Sequence, residues 1–381
     1  MKVEFNKLCR KVWSFMTKDY SKELKNSSHR ILVCYLSEPF YHKDDSNYFK
    51  THQNRRETLI MSSVFEELNW SYCFMRLDKP LFKDVSKYDI IFGCGSSFVE
   101  ACNKNVHATK IYYATGSYFA HQNKMIKKRT DDFNKKHDTH LKYSRLALIQ
   151  NSNEISDAII QIGSKYTLES YPQYLRYKIK PIHQTCFDFS NIFDCQRKFK
   201  EYGKNNFIFM GSKGSILKGL DIVLDFFEAH PELIVHLFGI IDNDFYKVYS
   251  NQLNQCPNIV NHGFKDISSK TFLDIAYTSP WVLLPSVSEG CPGSVINCMK
   301  VGCIPIVTRY AACEEAAEVG FVMQEADILS LCNAIELALS FSDEEIEKRM
   351  KAAIEIASIN YNETTFKKEF KNAIEGIIKF N

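Results

Sequence analysis

Short apolar runs alternate with amphipathic stretches along most of the chain. ILVCYL (31–36), CFMRL (73–77), DIIFG (89–93), KIYYAT (110–115), AIIQIG (158–163) and KIKPIHQT (178–185) predict strands. Short, largely apolar runs of this kind suit strands of a covered sheet. Between them, 55–68 places Leu59, Met61, Phe65 and Leu68 among polar residues and predicts a helix, and a basic helical stretch covers 124–149. Residues 190–205 are polar and read as a connector. The alternation then restarts with strands at 207–212, 234–239, 259–264, 281–286 and 304–308, separated by helices at 218–229, 244–254, 269–278 and about 292–301. After 320–323 only helical pattern remains, ending in an amphipathic stretch with Phe366, Phe370, Ile374, Ile377 and Ile378. Strands alternating with helices predict parallel sheets covered on both faces. The fold class is therefore α/β, with two Rossmann-like doubly wound domains facing a cleft. The expected division is a segment 1–29, a first domain 30–190, a linker 191–205, a second domain 206–360 and a terminal helix 361–381.

The first segment adds a different signal. Phe5, Leu8, Cys9, Val12, Trp13 and Met16 share one helical face, and Lys2, Lys7, Arg10 and Lys11 occupy the rest. A basic amphipathic helix of this kind binds anionic membrane surfaces. Residues 1–16, together with Lys124, Lys127, Lys128, Arg129, Lys135 and Lys136 in 124–136, make such a surface a candidate partner. Packing of the first helix on its own domain is the competing reading. The net charge of the 381 residues is only +3, so a nucleic-acid coat is excluded. The 13 cysteines form no C-x-x-C pair and read as reduced core thiols. Charges interrupt the N-terminus, and no apolar run reaches membrane-spanning length. The expected location is the cytoplasm, with peripheral contact to the inner face of the cell membrane as an addition.

The most informative stretch is PSVSEGCPGSVINCMKVGCIPIVT (285–308). A buried strand ends at Ser286, a loop carries Glu289 and Gly290, and Pro292 and Gly293 open a helix. Proline suits a first helical turn, and glycine lets backbone N–H groups approach an anion. A helix N-terminus carries partial positive charge, so this is a place to hold phosphate. The plain alternative is a βαβ crossover with a tight loop.

This stretch resembles glycosyltransferase family 4, the retaining family of GT-B fold. The resemblance rests on Pro285, Ser286, Glu289, Gly290, Pro292, Met299, Gly302, Pro305 and Ile306. Gly211, Lys218, Gly219 and Asp221 match the family's "G…KG.D" segment, and Asn258, Ile259 and Gly263 match the strand before the site. It is specific over about 207–323. Over 30–190 it is architectural, with a weak likeness to capsule and O-antigen transferases in 110–123.

The resemblance implies sugar transfer from a UDP- or GDP-linked donor to a saccharide or lipid-linked saccharide, in bacterial surface-polysaccharide assembly. It implies no cofactor and no metal. Lys218 corresponds to the phosphate-binding lysine, and Lys213 stands where the family usually has arginine. Glu289 would contact donor-sugar hydroxyls. Asn297 replaces the second glutamate, which normally binds ribose; an amide offers hydrogen bonds but no charge. Gly211, Gly239, Gly290, Gly293 and Ser294 would approach the donor, with Phe264 and Lys265 bracketing the base. His121 would face the sugar as a third catalytic candidate beside Glu289 and Lys218. Thr115, Gly116 and Ser117 on the inner rim, and His52, Arg55 and Arg56 at a helix start, would meet the acceptor. In relatives the last helix crosses back to brace the first domain.

Two other motifs are weaker. Asp242-Asn243-Asp244 matches a D-x-D metal pattern, but reads as a helix cap. Gly93-Cys94-Gly95 begins a dinucleotide fingerprint, but Phe98 stands where the third glycine is needed. The rival functions are a non-catalytic nucleotide-sugar-binding subunit, supported by Asn297, and a nicotinamide-dependent oxidoreductase, disfavoured by that missing glycine.

Overall fold

A computed structural model describes residues 18–50 and 52–380. The amphipathic segment expected at 1–16 lies outside them. Two sheets carry the architecture. The first contains β1 (Tyr20–Lys22), β2 (His29–Tyr35), β3 (Trp70–Arg76), β4 (Ile90–Gly93), β5 (Thr109–Ala114), β6 (Ala158–Ile162) and β7 (Ile179–Ile182), in the order β1-β3-β2-β4-β5-β6-β7. The second contains β8 (Asn206–Met210), β9 (Ile234–Phe238), β10 (Ile259–Asn261), β11 (Trp281–Leu284), β12 (Ile304–Thr308) and β13 (Phe321–Met323), in the order β10-β9-β8-β11-β12-β13. All pairings are parallel except β1 with β3. This is the predicted α/β class of two Rossmann-like domains.

The helices that shape the site are α1 (Gln53–Glu67), α2 (Phe119–His137), α3 (Cys195–Glu201), α4 (Leu220–Ala229), α5 (Gly293–Lys300), α6 (Glu314–Val319), α7 (Asp343–Asn360) and α8 (Glu363–Phe380). The buried runs in β2, β4 and β6 fill the first core, and those in β8, β11 and β12 fill the second. Helix α8 lays Phe366, Phe370, Ile374 and Ile377 into the first core beside Phe65 and Phe92, although it follows the second domain in sequence.

Three local readings need correction. The polar stretch 190–205 is not an open linker: α3 forms within it, and Lys198 is fully buried, donating to the carbonyls of Ala276 at 2.6 Å and Ser279 at 2.8 Å. A lysine stem buries as an apolar chain once its ammonium finds acceptors, which composition alone hides. The basic helix ends at His137, one residue before the left-handed Asp138, and 139–150 is irregular. The segment expected at 1–29 is not separate from the first domain: its residues 20–22 form β1, whose YSK sequence carries no apolar run to announce it.

Candidate active site

The carboxyl ends of the strands of the two sheets enclose a cavity of about 350 Å³. This is where doubly wound sheets bind ligands. Its second-domain wall includes Gly211, Lys218, Gly239, Phe264, Lys265, Glu289, Gly293, Ser294 and Asn297, which were expected from sequence, and also Met210, Ser212, Phe238, Asp266, Ile267 and Cys291, which were not. Its first-domain wall includes His52 and Arg56, also expected, with Lys50, Gln53 and Phe187, which were not.

At its base Lys218 Nζ donates to Glu289 Oε1 at 2.6 Å, and the same oxygen accepts from Ser286 Oγ at 3.1 Å. Lys218 follows the loop after β8, and Glu289 follows β11, so two neighbouring strands deliver the pair. Both side chains are largely buried. Glycine is required where the loops meet: a Cβ on Gly239, at φ +126°, would sit 1.6 Å from the Gly211 carbonyl oxygen. Helix α5 opens beside the pair with Pro292 at its N-cap and no side-chain cap, leaving its first N–H groups toward the cavity wall that Gly293 and Ser294 form. A cation, a carboxylate and a helix N-terminus thus converge, the set needed to hold a diphosphate and a sugar together.

Asn297 is engaged at both ends of its amide. Its Oδ1 accepts from Phe187 N–H at 2.8 Å, and its Nδ2 donates to the Gly293 carbonyl at 2.7 Å. It thereby ties the chain between the domains to helix α5. No sequence pattern pointed to Phe187, which this tie sets in the cavity wall.

The remaining candidates lie elsewhere. Lys213 is exposed and does not line the cavity. Thr115, Gly116 and Ser117 do not line the cavity. They pack against the Glu289–Gly290 loop, with Ser117 Oγ donating to the Glu289 carbonyl, and a Cβ on Gly290 would come within 2.7 Å of the Thr115 carbonyl. Thr167 Oγ1 donates to the Gly290 carbonyl at 2.6 Å. His121 sits against Tyr310, with ring centroids 5.5 Å apart. Burial lowers its pKa, while a hydrogen bond to the Val287 backbone works the other way. It is thus beside the Glu289 loop but outside the cavity lining. Arg55 stacks over Tyr48 at 4.0 Å. Arg56 donates to the carbonyls of Phe49 at 2.6 Å and Cys186 at 3.1 Å. His52 caps α1, and burial lowers its pKa.

Two motif residues hold structure. Asp221 of the "KG.D" segment receives two hydrogen bonds from Arg129 of α2, at 2.8 and 2.7 Å, and Lys136 pairs with Asp225. Two of the six basic residues of α2, Arg129 and Lys136, therefore clamp it to α4. The carboxylate of Asp242 accepts from the N–H groups of Gly214 at 2.9 Å and Ser215 at 2.8 Å, so it braces the loop before Lys218 instead of capping its own helix. Asp244 pairs with Lys247.

Comparison with known proteins agrees with this architecture. Residues 192–356 match the family of glycosyl transferases group 1. The chain as a whole has the GT-B fold. It is similar to Anabaena HepE, solved in complex with UDP and glucose, at 14% identity and a TM-score of 0.56, over 91% of this chain and 100% of HepE. It is also similar to WaaG, a glycosyltransferase involved in lipopolysaccharide biosynthesis, at 10% identity and a TM-score of 0.56, over 91% of this chain and 100% of WaaG. TarM aligns at 13% identity and a TM-score of 0.51 over 74% of this chain, which spans only 54% of TarM. No curated protein matches the sequence.

Proposed function

We propose that this chain is a retaining, metal-independent glycosyltransferase, moving a sugar from a UDP- or GDP-linked donor to a saccharide or lipid-linked saccharide of a bacterial surface polysaccharide. The observation that carries the reading is the Lys218–Glu289 pair at the base of the cleft beside the N-terminus of α5. In this reading the diphosphate takes the positive end of the helix and the ammonium of Lys218, which offset the charge that develops as the sugar departs. Glu289, released from its lysine, orients sugar hydroxyls. Phe264, 68% exposed at the cavity edge, offers a face for the base. The bond from the anomeric carbon to the phosphate oxygen breaks, the acceptor hydroxyl attacks the same face, and a phosphate oxygen of the leaving group takes its proton. No separate cofactor enters that scheme. The family match supports sugar transfer, HepE with its bound UDP and glucose supports the donor class, and WaaG, which is involved in lipopolysaccharide biosynthesis, supports the polysaccharide setting. The expected place of action is the cytoplasmic face of the membrane.

The doubly engaged Asn297 favours a second reading, a nucleotide-sugar-binding subunit without turnover. Thermal stabilisation by UDP, GDP, their sugars and NAD, followed by donor hydrolysis in EDTA, tests both. Stabilisation by a nucleoside diphosphate with hydrolysis of its sugar is the expected result. Stabilisation without turnover of any bound donor supports the binding subunit, and stabilisation by NAD alone overturns both.

A further inference from the structure

We propose that the loop 146–149 and the exposed lysines of the first turns of α2 form a docking surface for an anionic lipid bilayer. Leu148 is 76% exposed and Ile149 82%, side by side in sequence, with Leu146 at 43% and Tyr143 at 44% close before them. Isolated exposed aliphatics are ordinary on a protein surface, whereas a contiguous group marks a contact region. The loop is held in place. Ala147 exchanges two hydrogen bonds with the Asn123 side chain, at 2.7 and 3.0 Å, and the Arg145 carbonyl accepts from Gln122 at 2.8 Å. The first turn of α2 thus presents Leu146, Leu148 and Ile149 outward on a pinned backbone.

Charge selects the partner. Residues 119–150 contain eight Lys or Arg against three Asp. Arg129 and Lys136 are spent on Asp221 and Asp225 of the second domain. Lys124, Lys127, Lys142 and Arg145 stay exposed around the pinned loop. Aliphatic side chains projecting from a cationic rim match a bilayer, where the former enter the acyl boundary and the latter meet anionic headgroups. The same helix places His121 against Tyr310, whose carbonyl accepts from Glu289 N–H at 3.0 Å, so the surface adjoins the catalytic loop. Delivery of a lipid-linked acceptor to the cleft is the use of such docking, and that use rests on the glycosyltransferase reading.

The test is flotation of the full chain with vesicles of phosphatidylcholine alone or mixed with phosphatidylglycerol. It compares wild type, Leu148→Asp/Ile149→Asp and Lys124→Glu/Lys127→Glu, with the thermal midpoint and its rise on adding UDP or GDP as the folding control. Wild type is expected to float with the mixed vesicles only. Both variants should lose about tenfold or more of that recovery while keeping the nucleotide-induced rise. Equal recovery of wild type and the Asp variant overturns the proposal. So does absence of flotation, including the case in which wild type elutes as a dimer that the Asp variant abolishes, since a second copy then covers the patch. Flotation as described without any nucleotide effect leaves the docking surface standing and removes the glycosyltransferase reading; donor hydrolysis without flotation does the reverse.

Discussion

Lys218 and Glu289 neutralise each other at 2.6 Å inside the cleft, in a pocket wall that has left most of the lysine out of water. A diphosphate that binds there competes with the carboxylate for the ammonium. Lys218→Ala should therefore lower donor affinity and turnover at least tenfold, since a charge-assisted phosphate contact contributes about 1.5–3 kcal/mol. Lys213→Arg should leave both intact, because the side chain lies outside the cavity. Initial rates at subsaturating donor measure both; full activity of Lys218→Ala would remove the phosphate role.

Glu289→Gln keeps the shape of the side chain and its hydrogen bond from Ser286 but removes the charge. Its effect should fall on turnover, by orders of magnitude, with nucleoside diphosphate affinity little changed. Asn297→Glu loses the amide donor to the Gly293 carbonyl while keeping an acceptor for Phe187 N–H. Its expected outcome is activity retained, with nucleotide affinity equal or better. Product formation in EDTA for wild type and both variants is the measurement. Loss in EDTA that manganese restores would end the metal-independent scheme.

His183, after β7, receives Glu315 from α6 at 2.7 Å and Glu369 from α8 at 2.9 Å, joining both domains and the last helix. Burial alone would lower the imidazole pKa, but the two carboxylate hydrogen bonds outweigh it and raise it to about 10. A raised histidine stabilises the fold fully below its ordinary value near 6.5, and that contribution is lost as pH rises through about 10. Glu315 moves the other way: burial would raise it, but His183 and Tyr361 hold it down at about 2, so its share is lost only as pH falls toward that value. His183→Gln should be less stable than wild type at pH 6, with the gap closing toward pH 10. Denaturation midpoints across that range decide it; a gap that does not depend on pH would deny His183 its charge.

Glu57 of α1 lies beneath the cleft and accepts from Thr185 N–H at 2.7 Å and Thr185 Oγ1 at 3.1 Å. Burial pushes its carboxyl up to about 7, with the Thr185 hydrogen bonds pulling the other way. The sign is a cost: stability falls as pH rises from the ordinary carboxylate range through about 7. Glu57→Gln preserves an acceptor for Thr185 without the charge. It should match wild type near pH 5 and exceed it at pH 8 in thermal midpoint; a variant less stable at pH 8 would contradict the burial argument.

The second domain was legible because β8, β9, β11 and β12 are short, largely apolar runs and the motif residues sit at their carboxyl ends, where topology forces them together. Contacts between the domains were not legible. Arg129 reads as a surface charge until Asp221, distant in sequence, is set beside it. Thr115–Ser117 read as a rim because nothing local shows that Gly290 will pack on them. Phe187 and Gln53 enter the cavity wall only through the way the chain crosses between domains. Strand β1 is only three residues long, and its one aromatic residue, Tyr20, stacks on Phe40 and Tyr72, so its sequence gives no periodic signal.

The crossing of α8 into the first core sets an order of events during synthesis. Phe65, Phe74 and Phe92 leave the ribosome well before Phe366, Phe370 and Ile374, which share their core. The earlier-made domain is thus finished after the later-made one, reversing the usual amino-terminal-first sequence of folding. Until α8 is made, the side chains of Phe65 and Phe92 have no covering helix, and the nascent first domain carries an open aromatic face.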